Sequence, residues 1–190
     1  MMVLNLILFL TNSLVHNIKD KIFSSPYEIN QCGLIPPKIT GRIVGGIVAE
    51  MEYPWFALLK EPKADFGACG GTLITSRHVL TAAHCYSMGE SESFHKEQFV
   101  ILINVRDICD LNPEAEIFKQ HRVILHEKFN PKNVFSNARQ IYDIAVIKIK
   151  GKSRNTVICL PSSAEYLPKI GQVLGFGLTE ESEKNRTCEL

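Results

Sequence analysis

This sequence contains no apolar run long enough to cross a bilayer as a helix, which takes about 20 residues. Its N-terminal run, Val3 to Leu10, is short and broken at Asn5. Charge of one sign is also lacking: 21 Lys and Arg stand against 20 Asp and Glu, for a net charge of +1. With no polybasic run, nothing in this balance supplies a field to hold nucleic acid. Repeats and low-complexity blocks are missing too. Zinc-ligand sets of the C-x2-4-C and H-x3-5-H kind do not occur, and adjacent His84 and Cys85 with Cys69 do not form one. No metal, cofactor, nucleic-acid partner or membrane partner is therefore expected.

At 190 residues the chain suits one ordinary domain, slightly short of the roughly 200 to 250 residues of two-barrel β folds. The length of Val3 to Leu10 fits the apolar core of a signal peptide, although no Lys or Arg precedes it. Residues 1–17 are read as that signal, cut after Ser13 or near Asn17. An even count of six cysteines agrees with an oxidising, extracellular compartment. In that setting Asn185-Arg186-Thr187 is a glycan acceptor sequence.

Residues 18–42 are polar, carry Pro26, Pro36, Pro37 and Cys32, and read as a pro-segment or linker. Arg42-Ile43-Val44-Gly45-Gly46 follows, an arginine in a Pro/Gly-rich linker being a good place for proteolytic nicking. Strands are expected over Tyr53 to Leu59, with Pro54 near its start, and over Phe99 to Val105, Gln120 to Leu125, Tyr142 to Lys150 and Gly171 to Gly177. Asp107, Asp110, Glu114 and Glu116 lie between two of these strands. They could supply calcium ligands, but a solvated acidic turn is the expectation.

The central stretch runs from Cys69 to Cys85. Leu73 to Leu80 is apolar and β-branched, broken at Ser76-Arg77-His78, and reads as two strands meeting at a turn that carries His84 to a sheet edge. In Tyr142-Asp143-Ile144-Ala145-Val146 a carboxylate enters an apolar strand. There Asp143 is either a loop-end cap or a buried acid in need of a partner, because an unpaired buried charge is costly. His84 can be that partner.

Taken in order, Arg42-Ile43-Val44-Gly45-Gly46, Thr81-Ala82-Ala83-His84-Cys85 and Asp143-Ile144-Ala145-Val146 resemble the trypsin-like serine proteases of the chymotrypsin fold, peptidase family S1. Cys32-Gly33 and Cys159-Leu160-Pro161 look like the arthropod clip-type zymogens, whose light chain stays tethered by a disulfide. The resemblance implies an all-β fold with a first antiparallel barrel complete and a second only begun, and a peptidase domain over 43–190. It implies His84 as general base and Asp143 as the residue that orients it. Arg42 would be the site cut by an upstream trypsin-like protease, freeing Ile43 as a new N-terminus, and the substrate would be protein. It also implies disulfides Cys69–Cys85 and Cys32–Cys159. Cys109 and Cys188 could pair with each other, stay free, or bond to a partner beyond Leu190.

The chain departs from the family at the nucleophile. No Gly-Asp-Ser-Gly-Gly motif occurs, and none of Ser153, Ser162, Ser163 or Ser182 is flanked by glycines. Phe176 stands where the family usually has tryptophan between glycines. These 190 residues are therefore expected not to cleave peptides, as a truncated piece of a protease or, alternatively, as a non-catalytic homologue that binds a partner. The strand around Val173 is expected to lack partners, an aggregation hazard.

Overall fold

The computed structural model describes residues 32–34, 53–62, 67–86, 99–131, 142–160, 174–176 and 188. Six strands form one closed antiparallel barrel: β1 Phe56–Lys60, β2 Gly67–Thr75, β3 His78–Thr81, β4 Val100–Ile103, β5 Glu116–Leu125 and β6 Ala145–Ile149. Their order around the barrel is β1-β2-β3-β6-β5-β4. The expected first barrel is thus present and all-β. Closure leaves it no open sheet edge, so His84 does not end at one; it lies just beyond β3.

Alternation builds the core. Leu59, Leu73, Val79, Ile101, Ile103 and Ile147 are 0% exposed and fill the interior. A second cluster, Ile74, Leu80, Ile144 and Val146, lies under Ile158 and Leu160. Over Ala145 to Ile147, where it is covered on both faces, β6 reads as continuous apolar sequence. At the crossing of β1, β2 and β3 the backbone approach admits no side chain: a Cβ on Gly71 would meet the Leu80 carbonyl at 2.9 Å and Val79 Cγ1 at 2.8 Å. Thr75 closes the β2–β3 turn, accepting from the Arg77 N–H at 3.1 Å and bonding His78 Nδ1 at 2.8 Å.

Two strand expectations are corrected. β5 starts at Glu116, earlier than expected, because residues 116–119 pair with β4 before residues 120–125 cross to β6. Of Gly171 to Gly177 the structure describes 174–176, and they are irregular. There Leu174 and Phe176 pack on the core, with Phe176 edge-on to Phe56 at 5.7 Å, in place of an unpaired strand at that point.

The acidic segment is the solvated turn expected of it, apart from Glu116. Asp107, Asp110, Glu114 and Glu116 do not converge into a ligand set. Asp107 accepts from the Cys109 and Asp110 N–H groups, while Glu116 is turned inward. Its carboxylate accepts from the Ser153 hydroxyl, the Arg154 N–H and Nε, and Asn155 Nδ2, which pins the turn after β6 onto β5.

Three disulfides complete the framework: Cys32–Cys159, Cys69–Cys85 and Cys109–Cys188. The first two follow the family pattern, and the third resolves the pairing left open by the sequence. Beside the first, the Gly33 N–H donates to the Val157 carbonyl at 2.8 Å, with Gly33 at φ 68°. Beside the third, the Ile108 N–H donates to the Cys188 carbonyl at 2.8 Å. Residues 1–17, Arg42, Ile43 and Asn185 lie outside the described residues.

Burial pushes the Glu116 carboxyl up, but its hydrogen bonds from Ser153, Arg154 and Asn155 prevail and hold it below 4.5. A folded-state pKa below the unfolded one gives stability that is present above pH 4.5 and lost as pH falls through the folded value. Glu116→Ala should cost on the order of 2 kcal/mol at neutral pH and flatten the acid limb of stability, as read by urea unfolding of the oxidised chain across pH.

Candidate active site

His84 enters on a 3-10 helix, Ala83–Tyr86, that opens one residue after β3. Several contacts fix that turn independently of the imidazole. Cys85 is bridged back to Cys69 on β2, and the Thr81 hydroxyl donates to the Gly70 carbonyl at 2.8 Å. Tyr86 donates to Gln120 Oε1 at 3.2 Å and packs edge-on against Phe99. Burial pushes the Tyr86 phenol far up, so it stays a neutral donor.

Asp143 precedes β6, whose Ala145 pairs with Thr81 at the end of β3. Cross-strand pairing therefore brings two segments 59 residues apart to one end of the barrel. The carboxylate divides its oxygens: Oδ1 accepts from the His84 N–H at 2.7 Å and Oδ2 from Nδ1 at 2.6 Å. Of the two roles read from the sequence the structure shows the partnered acid, on the half-buried His84 ring, and the same carboxylate also accepts from the backbone at the start of the 3-10 helix. The two side chains are 15% and 16% exposed.

An ionised carboxylate can only accept, so the short Nδ1–Oδ2 bond places the ring proton on Nδ1 and the basic lone pair on Nε2. Burial pushes the Asp143 carboxyl up. The bonds from the His84 side chain and backbone and from the Ala83 backbone outweigh it, leaving the acid below 3.8. Cys69 Sγ, Cys85 Sγ and the His84 nitrogen lie within 4.8 Å of one another. Both sulfurs are spent in the disulfide and offer no thiolate to a metal.

Sequence reasoning missed the group that shapes the approach to Asp143. Tyr142 sits at φ 62°, an uncommon conformation for a bulky residue, and its ring stacks on His126 at 4.8 Å and 9°. Lys128 Nζ lies 5.6 Å from the Tyr142 centroid. The His126 N–H donates to the Ile144 carbonyl, and the Ile144 N–H to the Tyr142 carbonyl. His126 Nδ1 accepts from the Lys128 N–H at 3.1 Å, which needs a neutral ring; burial foremost, with the Lys128 charge, lowers its pKa against the pull of Glu127. Adjacency to Asp143 was the one signal available for Tyr142, and no pattern pointed to His126.

A closed antiparallel barrel with a histidine–carboxylate pair at one end defines a class of β proteins equipped to move a proton at an imidazole. The sequence profile of the trypsin family matches residues 43–189. Ovochymase of Halocynthia roretzi is 34% identical over 176 residues, covering 85% of this chain, and the serine protease filzig of Drosophila melanogaster is 32% identical over 167 residues, covering 82%. The chain spans 11% and 9% of those relatives' own lengths. A solved structure of neuropsin, a serine protease expressed in the limbic system of mouse brain, is similar over 53% of this chain and 38% of its own, with a TM-score of 0.40 and 24% identity. This chain belongs to the trypsin family of serine proteases.

Asp143→Ala should cost on the order of 3 kcal/mol at neutral pH, because it strands the ring and the backbone donor together. Since the folded Asp143 pKa is the depressed one, that contribution is present above pH 3.8 and lost as pH falls through the folded value; paired urea titrations of the two chains check it. The strongly deshielded Nδ1 proton expected of His84 in NMR should vanish in Asp143→Asn. It should broaden in Tyr142→Ala and persist in Tyr142→Phe, which keeps the stacked ring.

Proposed function

We propose that these residues carry the base-bearing part of a secreted trypsin-like serine endopeptidase that acts on protein substrates. The observation behind this reading is the two-oxygen grip of Asp143 on His84. With Nδ1 protonated, Nε2 accepts the proton of a serine hydroxyl as its oxygen bonds to the scissile carbonyl carbon. Asp143 stabilises the imidazolium that results, and the proton then passes to the leaving amine.

Residues 1–17 are the export signal in this reading, 18–42 the light chain and 43–190 the peptidase portion. An upstream trypsin-like protease cuts after Arg42 and frees the Ile43 ammonium. The Cys32–Cys159 bridge supports retention of the light chain after that cut. Asn185 carries the glycan.

The sequence holds no Gly-Asp-Ser-Gly-Gly serine, so these 190 residues by themselves are inactive. A second reading is a non-catalytic homologue whose barrel, closed without any nucleophile, serves as a binding partner.

Expression in a secreting eukaryotic cell, followed by limited trypsin treatment, tests the first reading. The medium should contain a chain lacking Met1 that yields an Ile43 N-terminus on cutting, with both pieces joined until reduced. It should not hydrolyse arginyl chromogenic peptides, whereas the transcript read through its 3′ end should encode a glycine-flanked serine. Retention inside the cell with Met1 intact would sink the secreted reading, and a stop codon after Leu190 with a soluble secreted product would favour the homologue.

A further inference from the structure

A net charge of +1 conceals a segregated surface. In Lys148-Ile149-Lys150-Gly151-Lys152-Ser153-Arg154 a cation falls at every second residue. Ile149 and Ser153 are buried, at 2% and 3% exposure. Lys150, Lys152 and Arg154 are exposed and Lys148 is half-buried. The ribbon is tied down by its backbone: the Lys150 N–H donates to the Lys119 carbonyl, the Ile149 N–H to that of Arg77, and the Ser153 N–H to that of Ser76. Those bonds bring two further exposed cations, Lys119 and Arg77, alongside it.

Arg122 is the cross-strand partner of Lys148, and directly opposed residues of an antiparallel pair share a face. Like charges so placed repel each other. Among the described residues the ion pair on this side of the barrel joins Arg154 to Glu116, which leaves Arg122, Lys148, Lys150 and Lys152 without a carboxylate of their own.

We propose that this face of the β5–β6 sheet, with the ribbon that follows β6, binds a linear sulfated polysaccharide. Strands lie about 4.8 Å apart and alternate residues about 6.7 Å apart, so a chain bearing regularly repeated anionic groups meets several cations at once. An acidic peptide that docks by strand addition would need an open strand edge, and the closed barrel has none; one held by charge alone is an outcome of the test below. A nucleic acid strand would need ring platforms for its bases; Tyr142, the exposed aromatic side chain among the described residues, is stacked on His126 at the opposite end of β6. Three disulfides suit an oxidising compartment outside the cytosol, where sulfated polysaccharides are the abundant polyanions. Binding here needs no catalysis and stands apart from the proposed protease activity.

A heparin octasaccharide titrated calorimetrically into the full oxidised chain, at about 0.15 M salt and at lower ionic strength, tests this. Binding should weaken linearly on a log–log plot against salt. Lys150→Ser with Lys152→Ser should reduce affinity about tenfold and lower the salt slope by somewhat under one unit per cation removed. The charge-keeping Lys150→Arg with Lys152→Arg should retain both, and Lys128→Ser, at the other end of β5, should change little. Absence of binding, or an equal loss on Lys128→Ser, overturns the proposal. Tighter binding of a polyglutamate or a DNA duplex of equal charge also overturns it, and would assign the face to an acidic protein or to nucleic acid.

Discussion

Closure of the barrel rests on one strand that serves two neighbours: β5 pairs with β4 over its first residues and, after an irregularity near His121, with β6 over the rest. A strand of that length bends at such a point, where the extra residue increases the local twist. Without it β4 and β6 would each expose a hydrogen-bonding edge, and the apolar interior between them would open to water. The placement of the histidine–carboxylate pair follows from this closure, since β6 is held beside β3 only because β5 holds its other side.

Two carboxylates use one physical device at opposite ends of the sheet. Asp143 and Glu116 are each half-buried and each accepts several donors, so each carboxyl is held below its ordinary pKa although burial by itself raises it. Asp143 joins the end of β3 to the start of β6, and Glu116 joins the start of β5 to the turn after β6. Each ties two segments far apart in the chain, and each sits where a strand passes into a turn. A short backbone path next to Asp143, strained at Tyr142 and clasped by the His126 ring, keeps the carboxylate at the height of the imidazole.

The disulfides divide along similar lines. Cys69–Cys85 belongs to the barrel and the site together, since it ends the loop that carries His84. The other two anchor peripheral chain: Cys32–Cys159 holds residues 32–34 to the segment after β6, and Cys109–Cys188 ties the acidic loop after β4 to Cys188. On the opposite side of charge, the Lys148 to Arg154 ribbon shows how a neutral total can be composed of separated surfaces. Glu116 secures this ribbon from below while its cations face outward.

Much of the site was legible in the sequence. His84 and Asp143 could be named from short motifs, and the strands around them from apolar alternation, because those signals depend on neighbours a few residues away. The Cys69–Cys85 and Cys32–Cys159 pairings came from the family resemblance and from no local signal. The Cys109–Cys188 pairing, the inward turn of Glu116, the early start of β5 and the His126–Tyr142 stack could not be read. Each is a contact between segments distant in sequence, and no local pattern encodes which of several partners a cysteine or carboxylate will meet. The alternating cations after Lys148 were written plainly in the chain, yet which way they face was decided by the burial of Ile149 and Ser153. Local chemistry thus fixed which groups can react, while barrel closure decided which of them meet.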